Sequence, residues 1–386
     1  MTVLGENGDV KCVIGLMSGT SMDGVDAAMI YTDGVRIERI GPSLTLAYPT
    51  EVRERIREGL NLAGGCVKGG PVPELIKGLE SELTDWHGHA IEELLSVTGQ
   101  KAADVDLVGF HGQTLTHRPD KGWTWQIGDG GRLAGYTGIP VVNDFRTADV
   151  EAGGEGAPLV PLYHAALLMR ERRHDTVAIL NIGGVANVSW VSFAESEDNP
   201  QMVSFDTGPG NAIIDDWAQI HTGKPCDEDG VLAARGISHE EVVMGMMASP
   251  YFDEKPPKTL DRDDFNMQSV RGLSPEDGAA TLTDFIVESM VSAQSYFPRP
   301  PEAWYVCGGG RHNLTLMRRL RRRLPVLVDP VEVLGWRGDA LEAEAFAFLA
   351  ARSVRGLPTS LPGTTGCKEP VMGGVLHKPM RNPFRG

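Results

Sequence analysis

Two hairpin-like segments with glycine-rich turns constrain the possible folds of this chain more than any other feature of its sequence. In the first, two apolar runs flank a polar turn at residues 17–24, and this pattern predicts a β-hairpin with a long turn. In the second, two predicted strands within residues 176–191 flank the pair Gly183-Gly184. A hairpin at the start of each of two lobes indicates an ancient duplication, although the two segments share few residues.

The length of the chain predicts two lobes. A chain of 386 residues exceeds the usual size of one compact core. Predicted strands and helices alternate along it, which favours an α/β fold. We expect an N-terminal lobe at residues 10–135, joined by the C-terminal segment 355–386, and a second lobe at residues 136–354.

Charge, cysteine usage and hydropathy restrict the partners of the protein and its location in the cell. The net charge of −16 would repel a phosphate backbone, so we expect no nucleic-acid partner. The five cysteines are scattered and never form a C-x-x-C pair, which favours a reducing cytoplasm. The N-terminus lacks a signal-peptide pattern and no apolar run approaches about 18 residues, so we expect neither export nor a membrane span.

The turn of the first hairpin contains the residue types that bind a phosphate. Small residues leave the backbone N–H groups open, and the turn adds the hydroxyls of Ser18, Thr20 and Ser21. Asp23 and Asp26 are acceptors only, so phosphate binding beside them requires a cation, and water-bridged Mg²⁺ is the usual solution. The alternative is a solvent-exposed loop rich in turn-forming residues.

Two further glycine clusters could contact a nucleotide whose phosphate binds the first hairpin. Gly183-Gly184 lies in the second hairpin, and Gly308-Gly-Gly310 follows a predicted strand and precedes a predicted helix, whose N-terminus could contact phosphate or adenosine. The alternative for the last cluster is a Rossmann-type turn, but the third glycine of that pattern is replaced by Asn313.

Asp206 is the best candidate for a general base. It follows an apolar run and precedes Thr-Gly-Pro-Gly, which places a carboxylate at a strand end beside a sharp turn. The alternative is that Asp206 caps a helix starting near Asn211. The histidines miss zinc-site spacings, and the chain has neither a G-x-S-x-G nor a Walker A motif, so the zinc, hydrolase and P-loop classes are disfavoured.

Six motifs, in order from about residue 13 to residue 351, together resemble the anhydro-N-acetylmuramic acid kinase family. They are Gly15-Leu-Met-Ser-Gly-Thr-Ser-Met-Asp-Gly-Val-Asp26, His111-Gly-Gln-Thr114, Gly153-Gly-Glu-Gly-Ala-Pro-Leu-Val160, Asn181-Ile-Gly-Gly184, Phe205-Asp-Thr-Gly-Pro-Gly-Asn211 and Cys307-Gly-Gly-Gly310. The resemblance implies a two-lobed actin-like ATPase (ribonuclease H-like) fold with the active site in the interlobe cleft. It also implies ATP and Mg²⁺ as cofactors and a homodimer.

The resemblance further implies an activity and the residues that carry it. The family opens the internal bridge of 1,6-anhydro-N-acetylmuramic acid with water and phosphorylates O6, giving N-acetylmuramic acid 6-phosphate in peptidoglycan recycling. Asp206 would activate the water. The nucleotide would contact Gly19, Thr20, Ser21, Met22, Asp23, Gly24, Val25 and Asp26, together with Gly183, Gly184, Gly308, Gly309 and Gly310.

Four residues are candidates for contacts with the sugar: His111, Gln113, Arg146 and Glu342. Glu342 matches a family acid near the start of the last helix, and Glu344 cannot face the same site, because two residues turn a helix by roughly 200°. A structural role is an alternative for each of the four. Two other functions stay open: a plain kinase for a sugar or polyol hydroxyl, and an actin-like ATPase without a small-molecule acceptor.

Overall fold

The computed structural model describes residues 4–19, 22–196, 199–262 and 264–379. The strands are β1 (Lys11–Ser18), β2 (Gly24–Thr32), β3 (Ile37–Ala47), β4 (Leu107–Arg118), β5 (Trp123–Ile127), β6 (Val141–Asn143), β7 (Val177–Ile182), β8 (Val185–Ser192), β9 (Gln201–Pro209), β10 (Ala303–Cys307), β11 (Leu327–Pro330) and β12 (Val375–His377). The helices are α1 (Thr50–Ala63), α2 (Glu74–Thr98), α3 (Gly130–Thr137), α4 (Thr147–Glu151), α5 (Pro161–Arg170), α6 (Ala212–Thr222), α7 (Val231–Arg235), α8 (Glu240–Met247), α9 (Pro275–Ser292), α10 (Leu314–Arg323), α11 (Leu341–Val354) and α12 (Pro362–Thr365).

The chain divides into two compact units. The first comprises Met1–Arg173 and Ala340–Gly386, and the second comprises His174–Asp339. Each unit contains its own sheet, so the expected α/β fold class is confirmed. No helix of the described residues is long and apolar enough to cross a membrane.

The sheet of the first unit has the strand order β12-β6-β4-β1-β2-β3, and β5 pairs with β4. Strands β1 and β2 form the predicted first hairpin, with Met17 opposite Asp26. β1 is also parallel to β4 and almost completely buried, because its side chains are apolar on both faces. The first hairpin therefore lies in the middle of a buried sheet.

Helix α11 packs directly on this sheet, so it belongs to the first unit although it follows the second unit in sequence. A Cβ added at Gly15 of β1 would lie 1.8 Å from the carbonyl oxygen of Ala343, and one added at Gly109 of β4 would lie 2.1 Å from that of Phe346. Glycine is needed at both positions because the backbones touch. This contact places α11 in the first unit, and the pairing of β6 with β4 and the hydrogen bond from Tyr163 to Glu344 attach residues after 135 to the same unit. The boundaries of the units along the chain are 173/174 and 339/340, whereas the sequence suggested 135/136 and 354/355.

The sheet of the second unit has the strand order β11-β10-β7-β8-β9. Strands β7 and β8 form the predicted second hairpin, and β10 and β11 continue the sheet in parallel from β7. Helix α9 covers the core of this unit, with Ser274 accepting a hydrogen bond from the Asp277 amide at its N-terminus. In this sheet β9 is an edge strand, and it contains Asp206.

Candidate active site

The turn of the first hairpin has a conformation that its sequence did not reveal. The Met22 amide donates to the Gly19 carbonyl (3.2 Å), and Met22 itself has a positive φ of 54°, which is rare for a residue with a side chain. Gly24 is sterically required, because a Cβ there would lie 2.5 Å from the Leu46 carbonyl oxygen. Two predicted nucleotide contacts, Thr20 and Ser21, lie outside the described residues.

Gln113 and Ser18 fix the start of this turn. Gln113 is 1% exposed, and its Oε1 accepts from Ser18 Oγ (2.6 Å) while its Nε2 donates to the Gly19 carbonyl (3.3 Å). Because the single Ser18 hydroxyl proton goes to Gln113, the Tyr48 hydroxyl donates to Ser18 Oγ (3.0 Å). The side-chain amide of Gln113, which the sequence analysis predicted to contact the sugar, is thus hydrogen-bonded to the first hairpin.

The two acidic residues of the hairpin offer oxygen atoms suited to a hard cation. Asp23 is exposed, and Asp26 on β2 is half-buried and accepts from Thr45 Oγ1 (2.5 Å). Burial raises the pKa of Tyr48, and the negative charges of Asp23 and Asp26 raise it further. Among the described residues no group of three His, Cys, Asp or Glu side chains could hold a metal. Two carboxylates fit Mg²⁺, which usually keeps several waters and binds substrate phosphates.

Arg146 and His111, two of the residues predicted to contact the sugar, lie together in the first unit. Arg146 Nε donates to His111 Nε2 (2.9 Å), so the ring proton of the neutral imidazole is on Nδ1, which donates to the Gly112 carbonyl (2.8 Å). Burial, then the Arg146 charge, hold the pKa of His111 well below its usual value. Arg146 also donates to the Gly156 carbonyl (2.7 Å).

The first turn of α11 carries two glutamates with different environments. Glu344 is fully buried and accepts from the Tyr163 hydroxyl (2.6 Å), so it has a structural partner. Burial raises the pKa of Glu342, and the positive charge of Arg146 opposes this effect. The first unit therefore brings Glu342 within electrostatic reach of Arg146, as a common sugar site would require.

Three glycine segments converge in the second unit. A Cβ on Gly210 would lie 2.2 Å from the Gly183 carbonyl oxygen, and one on Gly308 would lie 2.3 Å from Asn181 Oδ1. The Asn211 amide donates to the Gly183 carbonyl (2.7 Å). The hairpin turn, the end of β9 and the 308–310 cluster are therefore neighbours, as a shared nucleotide site would require.

The predicted helix after the 308–310 cluster is confirmed as α10, but its N-terminus does not lie at the glycines as the sequence analysis expected. A short 3₁₀ turn, Gly309–His312, intervenes, and α10 begins only at Leu314. Asn313 caps α10 by accepting from the Leu316 amide (2.9 Å). The N–H groups that could contact a ligand at this point belong to the glycine turn and not to α10.

Asp206 lies within β9 and is 8% exposed. Its Oδ2 accepts from the Leu260 amide (2.9 Å), and its own amide donates to the Lys258 carbonyl (3.1 Å). Helix α6 begins at Ala212 without a side-chain cap, so the alternative role of Asp206 as a helix cap is wrong. Hydrogen bonding favours the ionised carboxylate that a general base needs.

The sequence analysis missed the segment that contacts Asp206. The Tyr251 hydroxyl donates to the Asp206 carbonyl, and Lys258 and Leu260 make the bonds described above. Residues 250–260 form a 3₁₀ turn and irregular backbone, so no periodic pattern marks them. The pair of prolines before Lys258 was the only local signal of a fixed irregular conformation.

Two solved structures show distant similarity to this chain. The (R)-2-hydroxyglutaryl-CoA dehydratase component A of Acidaminococcus fermentans is 14% identical, with a TM-score of 0.47, and the match covers 88% of this chain and 99% of that chain. A ROK family glucokinase from Streptomyces griseus is 16% identical, with a TM-score of 0.40 and the same coverage. These scores are too low to support a conclusion about function.

Sequence relatives are much closer. The family model of anhydro-N-acetylmuramic acid kinase matches residues 11–379. A protein of that name from Rhizorhabdus wittichii is 50% identical over 366 residues, covering 95% of this chain and 98% of the relative. One from Gluconobacter oxydans is 52% identical over 366 residues, covering 94% of this chain and 98% of the relative. This chain therefore belongs to the anhydro-N-acetylmuramic acid kinase family.

Proposed function

We propose that this protein is an ATP-dependent kinase that opens the bridge of 1,6-anhydro-N-acetylmuramic acid with water and phosphorylates O6. The products are N-acetylmuramic acid 6-phosphate and ADP, in peptidoglycan recycling. The observation that carries the proposal is the family match over residues 11–379, with relatives about half identical along nearly the whole chain. This match favours the sugar kinase over an actin-like ATPase without a small-molecule acceptor.

Asp206 is the proposed general base. It takes a proton from water, whose oxygen then bonds to the anomeric carbon while the bond from that carbon to O6 breaks. The released O6 accepts the γ-phosphoryl group of ATP, and ADP leaves. The Leu260 N–H bond to Oδ2 supports this role, because it favours the carboxylate and holds one of its oxygens in place.

The cluster of His111, Arg146 and Glu342 is the proposed sugar site. The lactyl group of the substrate is a carboxylate, and a guanidinium can bind a carboxylate through two parallel hydrogen bonds. Arg146 is held by His111 and by the Gly156 carbonyl, which favours a fixed orientation of its guanidinium. Gln113 is proposed to support the same region from the start of the hairpin turn.

The nucleotide is proposed to bind the glycine-rich segments that the sequence analysis identified. Its phosphates would contact the backbone of Gly19–Asp26, and the rest of the nucleotide would contact Gly183-Gly184 and Gly308–Gly310. Asp23 and Asp26 would hold Mg²⁺ through water, and the ion would neutralise charge on the phosphates. We further propose a homodimer that acts in the cytoplasm.

Isotope labelling tests the activity directly. The protein is incubated with ATP, Mg²⁺ and the anhydro sugar in ¹⁸O water, and ADP and the sugar phosphate are measured. We expect ADP release that depends on the sugar and one solvent oxygen in each product molecule. A phosphorylated sugar without ¹⁸O would identify a plain hydroxyl kinase, and ADP release without any sugar would contradict the proposed reaction.

A further inference from the structure

We propose that Lys258 is a positioning residue for Asp206, acting through the segment at residues 250–260. The inference rests on the proposed function, because Asp206 is the base proposed there. Lys258 is 6% exposed although it carries an amine, and no sequence motif includes it. A lysine this buried requires compensating contacts, since the charged form loses its hydration.

The 250–260 segment holds Asp206 at three points. The Lys258 carbonyl accepts the Asp206 amide proton, the Leu260 amide donates to Asp206 Oδ2, and the Tyr251 hydroxyl donates to the Asp206 carbonyl. β9 is an edge strand, and among the described residues no strand pairs with its outer backbone groups. At Asp206 the 250–260 segment supplies the hydrogen bonds that a neighbouring strand would otherwise make. The position of the Asp206 carboxylate therefore depends on the position of this segment.

The side chain of Lys258 anchors this segment in an aromatic cage. Its Nζ lies 4.4 Å from the ring centroid of Tyr251 and 4.7 Å from that of Tyr296, and it donates to the Tyr251 carbonyl (2.9 Å). Both ring distances are within the range of cation–π attraction. Burial lowers the pKa of Lys258 to about 8, and the negative charges of Glu254 and Asp253 oppose this effect. The two rings and the Tyr251 carbonyl are the direct contacts that hold Nζ in place.

The cage itself is attached to the core of the second unit. Tyr296 lies in the 3₁₀ turn that follows α9, and its hydroxyl donates to the Phe252 carbonyl (2.5 Å). Its ring packs edge-on against Phe205, the residue before Asp206. The Lys258 amine therefore connects the 250–260 segment, through Tyr251, to Tyr296 at the end of α9. Tyr296 in turn packs against the residue that precedes the proposed base. Without that amine, we expect the three contacts to Asp206 to loosen.

Three variants test this role. Lys258→Met keeps most of the aliphatic volume and removes the cation. Lys258→Arg keeps a cation that can stack on the rings. Lys255→Met is the control, because it changes an exposed lysine of the same segment. We expect Lys258→Met to lower kcat about tenfold or more, because catalysis is sensitive to small displacements of the base. The KM for ATP should stay within about twofold of the wild-type value. Lys258→Arg should recover most of the activity, and Lys255→Met should behave as wild type.

The pH profile separates positioning from a loss of folded protein. Loosening the Leu260 amide from Asp206 Oδ2 raises the pKa of the carboxylate, so the acid limb of kcat should move to higher pH in Lys258→Met. A merely structural role would lower the melting temperature and leave the acid limb in place. An unchanged kcat and profile would overturn the proposal.

Hydrogen exchange makes the result independent of the assigned activity. In Lys258→Met the amides of Asp206 and Leu260 should exchange faster than in wild type, whereas Lys255→Met should leave both unchanged. If the wild-type protein released no ADP with the anhydro sugar, the proposed function would fail. The exchange data would still show whether Lys258 stabilises the hydrogen bonds between Asp206 and the 250–260 segment. Equal exchange in Lys258→Met and wild type would overturn the role of Lys258.

Discussion

At the scale of single residues, burial and the charge of Arg146 determine the protonation of His111 and shift the pKa of Glu342 in the first unit. Arg146 donates to His111, which keeps that imidazole neutral with its proton on Nδ1. The same charge opposes the effect of burial on Glu342, whose pKa nevertheless stays raised. A cation, a neutral imidazole and an acid that can hold a proton are thus held in one region. These groups match the carboxylate, amide and hydroxyls of an amino sugar.

Replacing Asp206 with asparagine tests the proposed base. The change keeps the side-chain shape, and the Asn Oδ1 can still accept from the Leu260 amide, so the fold should be preserved. Loss of the base should lower sugar-dependent ADP release by about 10²–10⁴-fold. Binding of ATP, measured by calorimetry, should stay within about threefold of wild type. Normal turnover by this variant would contradict the role of Asp206.

The residues of the site differ in how far the sequence could predict them. Asp206 is marked by an apolar run before it and a Gly-Pro-Gly turn after it. Glu342 was suggested by its match to a family acid, and Arg146 by the need of the implied substrate for a cation. For Lys258 and Tyr251 the sequence offers only the pair of prolines before Lys258, which indicates irregular backbone and no role in a site. Leu260 lies 54 residues after its partner Asp206, in irregular backbone, and such long-range pairing depends on the folded core. Local pattern cannot encode it.

At the scale of elements, the contact between α11 and the central strands fixes the position of the proposed sugar site relative to the first hairpin, since both belong to the first unit. Gly15 lies in β1, three residues before Ser18, and touches the backbone of α11 at Ala343. Glu342 is the neighbour of Ala343 along α11. A change in the spacing between strand and helix would therefore move the glutamate proposed to contact the sugar.

We expect Gly15→Ala to disturb both stability and sugar binding. Its Cβ would approach the Ala343 carbonyl oxygen to 1.8 Å, so α11 must shift. Overpacking of this kind typically costs about 1–3 kcal/mol of unfolding free energy, which urea titration can measure. The KM for the sugar should rise more than the KM for ATP.

Gly78→Ala is the matched control for this substitution. Gly78 lies in the interior of α2, and a Cβ there meets no atom within 4 Å. Alanine at such a position should leave stability unchanged or raise it by up to about 1 kcal/mol. If Gly15→Ala were as stable and active as Gly78→Ala, the close contact between β1 and α11 would not matter for the site.

The elements themselves were easier to predict than their packing. Both hairpins are confirmed, because alternation and glycine turns are local signals. The boundary at 339/340 differs from the predicted one at 354/355 because α11 packs on β1 and β4, which precede it by more than 200 residues. The positive φ of Met22 also escaped prediction, since methionine does not mark that conformation.

At the scale of the whole molecule, buried histidines make the two units differ in their response to acid. Burial lowers the pKa of His87 and His117 to about 4 and that of His164 to about 3, and His111 is also far below its usual value. All four belong to the first unit. In the second unit, burial and the neighbouring Asp216 raise the pKa of Asp215 to about 7.

The lowered pKa values of the histidines and the raised pKa of Asp215 change stability with pH in opposite directions. The raised pKa of Glu342 offsets part of the effect of the four histidines in the first unit. A histidine whose folded pKa is lowered takes up its proton only on unfolding, so stability is lost as pH falls from about 6.5 towards 4. Each such group contributes a slope of about 1.36 kcal/mol per pH unit in that window. An aspartate whose folded pKa is raised binds its proton in the folded state first, so Asp215 adds stability as pH falls below 7.

We therefore expect mild acid to open the first unit before the second. Hydrogen exchange measured between pH 6.5 and 4, corrected for the intrinsic rate, should show protection falling in β1 and β4 while β7 and β10 stay protected. The variant His87→Gln removes a group that protonates only on unfolding, so the slope of stability against pH for the first unit should fall by about 1.36 kcal/mol per pH unit. Gly78→Ala, which changes no titratable group of α2, should leave the slope unchanged. Equal slopes in both variants would show that the buried imidazole of His87 is not a source of acid sensitivity.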